Sequence, residues 1–152
     1  MADKTYTVAF AQQVARPLPE IFEFFSRAEN LQVLTPPWLN FKILDVRPQP
    51  VQKGTLINYS LRVHGIPLRW TSEIVEWEPP HRFVDLQLRG PYKLWRHEHR
   101  FEPKNGGTLI SDTISLALPL GFLGQLAYKI KVHSDVQDIF SFREEKIRAL
   151  FG

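Results

Sequence analysis

The hydrophobic pattern of this chain changes period once, at Pro119, and that change constrains the fold more than any other feature. Before Pro119, apolar and polar residues alternate in short segments separated by prolines and turns, which is typical of half-buried β-strands. From about Gly121 to Leu150 apolar residues recur every three or four positions, which predicts an amphipathic helix of roughly 45 Å. A sheet of this kind buries its apolar face against such a helix.

The segments before Pro119 predict one strand, a helical stretch and six further strands. The helical stretch, residues 18–34, begins at prolines, which a first helical turn tolerates. Its Ser26–Asn30 region predicts a break into two short helices. Short turns join the later strands, and Asn105-Gly106-Gly107 is typical of a tight hairpin, so we expect an antiparallel sheet. The predicted strands are 4–14, 41–47, 54–64, 67–78, 82–89, 92–102 and 107–118.

Composition limits the classes of function that the chain can have. Its 152 residues, 43% hydrophobic and 23% charged, predict a single domain over 1–152. It has no cysteine, which excludes thiol catalysis and thiolate zinc sites. A net charge of +3 with scattered basic residues argues against nucleic-acid binding. No stretch approaches the ~20 apolar residues of a membrane-spanning helix, and the N-terminus, acidic at Asp3, lacks a secretory signal pattern. A cytoplasmic location is therefore expected.

The stretch WRHEHRF, residues 95–101, alternates between rings and charged side chains. Residues two apart on a strand share a face, so Trp95, His97, His99 and Phe101 are predicted to point together into the interior. By the same rule, the odd positions of 54–64 point inward. These are Ile57, Tyr59, Leu61 and Val63.

Of two other predicted strands, 82–89 alternates regularly, whereas 67–78 does not. In 82–89 the residues expected inside are Val84, Leu86 and Leu88. The residues expected to face solvent there are Asp85, Gln87 and Arg89. In 67–78 the two faces compete, because one set of apolar residues occupies even positions and another set occupies odd ones. The even set is Leu68, Trp70 and Ile74, and the odd set is Val75 and Trp77.

Asp112 is a carboxylate on the inward face of the predicted strand 107–118. Pairing the strands about the Asn105–Gly106 turn places it opposite residue 99. A buried carboxylate without a partner is costly. We therefore expect Asp112 to pair with His99 first and with His97 second.

Three long stretches of the chain are similar to one known superfamily. They are ARPLPEIFEFFSRAENLQVLTPPWLNFKIL (15–44), RWTSEIVEWEPPHRFVDLQLRGPYKLWRHEHRFEP (69–103) and GGTLISDTISLALPLG (106–121). Together they resemble the START/Bet v1-like (SRPBCC) helix-grip superfamily, in particular its bacterial cyclase/dehydrase-like branch. LTPPW and the GPYKLWRHEHRFEP…GGTLISD block are the most specific parts, and the resemblance covers essentially the whole chain.

The resemblance implies an α+β fold of order β-α-α-β6-α, with a curved seven-stranded antiparallel sheet wrapped around a long C-terminal helix. It also implies an internal apolar cavity for a lipid, an isoprenoid or quinone, or a polyketide-like molecule. It does not imply one reaction, because the superfamily includes carriers, plant hormone receptors, polyketide aromatase/cyclases and chaperone activators. Function must therefore be argued from the site.

Three interpretations of His97, His99 and Asp112 follow. Two imidazoles and a carboxylate can ligate zinc, but the other histidines give no clear fourth ligand, so no metal and no cofactor are predicted. As an acid–base pair, His99 and Asp112 could serve a cyclase or dehydratase. As the polar end of an apolar pocket, all three residues would anchor a hydrophobic ligand. A protein-interaction module of the chaperone-activator kind, with a purely structural cavity, is a further alternative.

The favoured hypothesis is a binding or carrier protein for a hydrophobic small molecule. The predicted ligand-binding residues are Phe25, Tyr59, Trp70, Trp95, His97, His99, Phe101, Asp112, Ile114, Leu116 and Ile130. Phe122 and Leu123 either gate the cavity mouth or form an ordinary joint between loop and helix. Lys129 and Lys131, with the positive net charge, allow a transient contact with an anionic membrane. The sequence leaves the oligomeric state open.

Overall fold

The computed structural model describes residues 4–152 and confirms the α+β order expected from the sequence. The strands are β1 Tyr6–Val14, β2 Lys42–Arg47, β3 Leu56–Val63, β4 Ile66–Glu78, β5 Arg82–Arg89, β6 Leu94–Lys104 and β7 Gly107–Ala117. The helices are α1 Leu18–Phe25, α2 Glu29–Leu34, α3 Phe122–Ala127 and α4 His133–Phe151. A 3-10 turn, Pro37–Leu39, precedes β2, and a π-helical turn, Tyr128–Val132, joins α3 to α4.

All seven strands form one curved antiparallel sheet in the order β1-β7-β6-β5-β4-β3-β2. β1 and β2 are the two edge strands, and the connection through α1 and α2 carries the chain from one to the other. β1 pairs with β7, the last strand of the chain. Gly107 begins β7 against the backbone of Val14, where an added Cβ would collide with the Val14 carbonyl oxygen. Asp112 lies opposite His99, as the hairpin register predicted.

A β-bulge explains the ambiguous pattern of β4. The register with β5 shifts between Ile74 and Glu76, so Val75 is the extra residue. Before the bulge the even positions, including Trp70 and Ile74, face the interior. After the bulge the odd positions face the interior, and the ring centroids of Trp77 and Phe22 lie 5.3 Å apart. The bulge therefore lets Trp77 share the inward face with Trp70 and Ile74.

The expected faces of β5 are wrong. Phe83 pairs with His99 and Asp85 pairs with His97, so the odd positions of β5 share the face of the two histidines. Val84 lies on the other face, between Glu76 and Glu98, and is fully buried there. Charged side chains with long apolar stems can cover such residues, which defeats an assignment by alternation alone. The last expected inward residue, Leu88, is 52% exposed.

The π turn continues α3 into α4, so the long terminal helix is confirmed. Its buried residues recur mostly every four positions, at Gly124, Tyr128, Val136, Phe140, Arg143 and Ile147. Residues four apart move gradually around the surface of a helix that has 3.6 residues per turn. The π turn has more residues per turn and so reduces this rotation. Leu123, Leu126 and Ile130 face outward, although their spacing of three and four residues is typical of an apolar helix face.

Two apolar clusters form the core. One surrounds α1 and the end of α4, and its buried members include Ile21, Phe22, Phe101, Ile110 and Ile147. The other joins β7 to the terminal helix through Ile114, Leu116, Tyr128, Val136 and Phe140. Within residues 4–152, no helix is both long and apolar enough to cross a membrane.

Candidate functional site

A cavity of about 650 Å³ lies between the sheet, α1, α2 and the terminal helix. Aromatic rings form much of its wall: Phe24, Phe25, Trp38, Phe41, Tyr59, Trp70, Phe83, Tyr92, Trp95 and Phe140. Aliphatic residues complete it, among them Leu31, Ile57, Leu61, Leu68, Leu118, Val132 and Ile139. A few polar groups are set into this wall, which is the usual composition of a pocket for an apolar small molecule.

Six of the eleven residues predicted from the sequence line the cavity. They are Phe25, Tyr59, Trp70, Trp95, His97 and His99. Four others lie in the packed core behind the wall: Phe101, Asp112, Ile114 and Leu116. Phe101, for example, is enclosed by Phe22 and Phe25, with ring centroids 5.5 and 5.2 Å away.

The placement expected for Ile130 is wrong. Its side chain is 69% exposed, because it lies two positions from both Tyr128 and Val132, on the outer side of the π turn. Phe122 and Leu123 also lie outside the cavity wall and are 76% and 61% exposed.

Asp112 is held by two donors behind the cavity wall. Its Oδ1 accepts a hydrogen bond from His97 Nε2 at 2.7 Å and another from Arg143 Nη2 at 3.0 Å. His99, directly across the ladder, brings Nδ1 only to 3.4 Å of the same oxygen and makes no hydrogen bond with it. The expected order of partners, His99 before His97, is therefore reversed.

His99 pairs instead with Asp85 of β5, with 2.6 Å between Nε2 and Oδ2. The same Oδ2 lies 4.0 Å from His97 Nδ1. The imidazoles of His97 and His99 stack with centroids 3.6 Å apart, and Phe83 stacks on the other side of His99 at 4.1 Å. Sequence reasoning missed Asp85 because the apolar residues of β5 that set its face lie on the outer side of the sheet.

Arg143 is the second residue that sequence reasoning missed. The signal was a charged residue at an inward position of the helical repeat. Its side chain is 8% exposed, and the guanidinium lies 5.2 Å from the Phe25 ring and 5.4 Å from the Phe140 ring. Such cation–π contacts, with the Asp112 ion pair, stabilise a buried guanidinium.

Burial and charge set the protonation of this cluster. Burial alone would raise the pKa of Asp112, but Arg143 and the hydrogen bond from His97 outweigh it and lower that pKa. Burial would also raise the pKa of Asp85, but the hydrogen bond from His99 helps to outweigh it and lowers that pKa. Burial and the neighbouring His97 lower the pKa of His99 to about 4, against the opposing pull of Asp85. At neutral pH the structure therefore holds two carboxylates, one guanidinium and a neutral His99.

Asp85, His97 and His99 each offer one metal-ligand atom, and these atoms lie within 4.8 Å of one another. This set differs from the one weighed from the sequence, because Asp112 is occupied by Arg143 and Asp85 takes its place. A divalent ion there would have to displace the short hydrogen bond between His99 and Asp85.

Residues 14–137 match the family described as polyketide cyclase / dehydrase and lipid transport. The comparison with curated proteins found no match. Among solved structures, the protein TTHA0849 from Thermus thermophilus is 19% identical, with a TM-score of 0.66 over 93% of this chain and 97% of that one. Major latex-like protein 151 from Panax ginseng is 12% identical, with a TM-score of 0.71 over 97% of each chain.

A Thalictrum norcoclaurine synthase point mutant, solved with a transition-state analogue, is also 12% identical, with a TM-score of 0.71 over 95% of each chain. At these identities the likeness shows a shared fold alone. The helix-grip fold and the family expected from the resemblance are both confirmed. Because the matched residues span most of the sequence, the chain belongs to the polyketide cyclase / dehydrase and lipid transport family.

Proposed function

We propose that this protein binds and carries a hydrophobic small molecule in its internal cavity. The observation that carries the proposal is the cavity itself: about 650 Å³ lined mainly by rings and aliphatic side chains. Pockets for small molecules commonly span roughly 300–1,000 Å³. A lipid, an isoprenoid or quinone, and a polyketide-like molecule are the ligand classes that suit such walls.

The polar end of the ligand would meet Asp85, His97 and His99, which line the cavity together. Asp112 supports them from behind, because it fixes the orientation of His97. Arg143, which also holds Asp112, lines the cavity beside them. Apolar walls supply binding energy through buried area, whereas a few fixed polar groups orient the ligand. This arrangement extends the anchor expected from the sequence, with Asp85 as its additional carboxylate.

Native mass spectrometry of gently purified protein, followed by organic extraction, tests the proposal. We expect a co-purifying apolar molecule, or a rise in melting temperature with members of a panel of lipids, quinones and aromatic polyketides. If nothing co-purifies and no member of the panel shifts the melting temperature, the carrier function is contradicted.

An enzyme of the cyclase or dehydratase type is the second candidate, favoured by the hydrogen-bonded pairs His97–Asp112 and His99–Asp85 beside the cavity. A histidine oriented by a carboxylate can transfer protons to or from a bound carbonyl compound. The variant His99→Gln distinguishes the two functions when a molecule of the extracted ligand class is supplied as ligand and substrate. A carrier would lose only modest affinity, whereas an enzyme would keep its ligand and lose turnover.

Ligand loading would take place at an anionic membrane surface. Five large apolar side chains between residues 120 and 130 are 45–76% exposed: Leu120, Phe122, Leu123, Leu126 and Ile130. No Asp or Glu occurs from 113 to 134, whereas Lys129 and Lys131 do, although Lys131 also lies 3.7 Å from Asp135. The cavity-lining residues Leu118 and Val132 flank this apolar segment. Exposed apolar residues beside lysines suit a surface of anionic lipid.

A further inference from the structure

Asp85 is the member of the polar cluster that a ligand meets first. Its side chain is 19% exposed, compared with 9% for His97, 7% for His99, 6% for Asp112 and 8% for Arg143. Asp85 is also a wall residue of the cavity. Molecules in the cavity therefore have more access to this carboxylate than to the groups that support it.

The hydrogen-bond donors beside Asp85 are mostly used within the wall. His99 donates to Asp85, His97 donates to Asp112, and Arg143 Nη2 donates to Asp112. Arg143 Nε has no partner but is covered by protein atoms. Further along the wall, Trp70 Nε1 donates to Ser72 Oγ at 2.9 Å. Arg143 also lines the cavity, but among the five residues of the cluster the acceptor Asp85 is the most exposed.

The cluster contains two carboxylates but one guanidinium. Arg143 forms an ion pair with Asp112 at 3.0 Å, while the carboxylate of Asp85 accepts a hydrogen bond from the imidazole of His99. The charge of Asp85 also acts across the cavity. After burial, it is the next cause that raises the pKa of Tyr59 on β3.

We infer that the cavity selects ligands whose polar end donates a hydrogen bond or carries positive charge, such as an alcohol, a phenol or an amine, and disfavours carboxylates such as fatty-acid anions. The inference rests on the proposed function, since it concerns the same cavity. A hydroxyl or ammonium group can donate to Asp85, whereas a second carboxylate would place two like charges together with little solvent to screen them.

Two matched ligand series test the inference. One is 2-naphthol against 2-naphthoate, and the other is 1-decanol, decylamine and decanoate. Each ligand displaces the neutral fluorescent probe N-phenyl-1-naphthylamine from wild-type protein at pH 7.5. We expect each donor ligand to bind at least about tenfold more tightly than the carboxylate of its series, a difference that one unfavourable charge contact can supply.

Asp85→Asn removes the charge but keeps an oxygen that can accept from His99. In this variant we expect the preference to fall to about threefold or less, mainly because the carboxylates bind better. Asp45→Asn, on β2 and outside the cavity wall, is the matched control and should keep the wild-type preference. The wild-type ratio tests the inference even if Asp85→Asn does not fold.

The outcomes separate the inference from the proposed function. If the carboxylates bind wild-type protein as tightly as the alcohols, the cavity binds ligands but the selectivity for donors is overturned. If Asp85→Asn folds and keeps the full preference, Asp85 is not its origin and the inference is also overturned. If neither the probe nor any member of either series binds, the proposed function itself fails and the inference fails with it.

Discussion

Nη2 of Arg143 lies 3.0 Å from Oδ1 of Asp112, and this ion pair ties the terminal helix to β7 across the interior. Both side chains are buried, at 8% and 6% exposure. The same Asp112 oxygen also accepts from His97, so the contact that anchors the helix also orients a residue of the cavity wall. Removing either charge would leave its partner uncompensated in a medium that solvates charge poorly.

Arg143→Met should therefore lower the free energy of unfolding by about 3–5 kcal/mol, the usual cost of breaking a buried ion pair from one side. Urea unfolding monitored by tryptophan fluorescence measures it. Arg143→Met combined with Asp112→Asn should recover part of the loss, because no charge is then left unpaired. Arg148→Met is the control: its pair with Glu144 is exposed at 62% and 52%, so the cost should stay below about 1 kcal/mol. A similar small cost for Arg143→Met would contradict the anchoring role.

The low pKa of His99 makes stability depend on pH. Between its ordinary value of 6.5 and its folded value of about 4, the unfolded chain binds a proton that the folded protein does not. The free energy of unfolding should therefore decrease as pH falls through this range, by up to about 3 kcal/mol. The lowered pKa values of Asp85 and Asp112 act at more acidic pH, where protonation removes their stabilising contributions below the ordinary value of 3.8.

Urea unfolding at several pH values between 5 and 7 measures this dependence. His99→Gln should flatten it, because glutamine does not titrate. His81→Gln, at an exposed turn position, should leave it unchanged. An equally steep dependence in His99→Gln would show that another group is responsible.

Leu68→Trp should reduce ligand affinity by at least about tenfold, because Leu68 lines the cavity and a larger ring would occupy ligand volume. The matched control is Leu44→Trp, an identical change at a 50% exposed position of β2 outside the cavity wall. Probe displacement and co-purification by native mass spectrometry are the two measurements. Equal affinity in both variants would place the ligand elsewhere.

Phe122→Gln together with Ile130→Gln should weaken binding to phosphatidylglycerol-containing vesicles by at least about tenfold, since each apolar side chain contributes about 1.5–3 kcal/mol when fully buried. Vesicle sedimentation measures the bound fraction, and Leu44→Gln is the control for loss of an exposed leucine. Lys129→Gln with Lys131→Gln should reduce the difference between phosphatidylglycerol and pure phosphatidylcholine vesicles. Wild-type protein that stays unbound by both vesicle types would rule out the membrane contact.

Most of the fold could be predicted from the sequence, because strand and helix periods are local properties of the chain. The change of period at Pro119, the break between α1 and α2, and the hairpin at Asn105–Gly106 all have local causes. The hairpin register also placed Asp112 opposite His99 without any tertiary information. The residues on either side of the Val75 bulge were ambiguous because a bulge reverses alternation without a clear local signal.

The candidate site could be predicted only in part. The inward direction of His97 and His99 follows from alternation on β6, and both line the cavity. Their partners could not be predicted from the sequence. Asp85 comes from a strand whose buried Val84 lies on the outer face between two glutamates, and Arg143 comes from a helix docked from the far end of the chain.

The sequence by itself determined the elements, their order and the inward histidine pair, because these depend on neighbours within a few residues. Tertiary structure decided which carboxylate each histidine meets, since the 2.6 Å contact with Asp85 and the 2.7 Å contact with Asp112 depend on strand register and on how buried charges find partners. It likewise decided that Ile130 faces outward, because the rotation of the helix is fixed by its packing against β7 and not by the hydrophobicity of one residue.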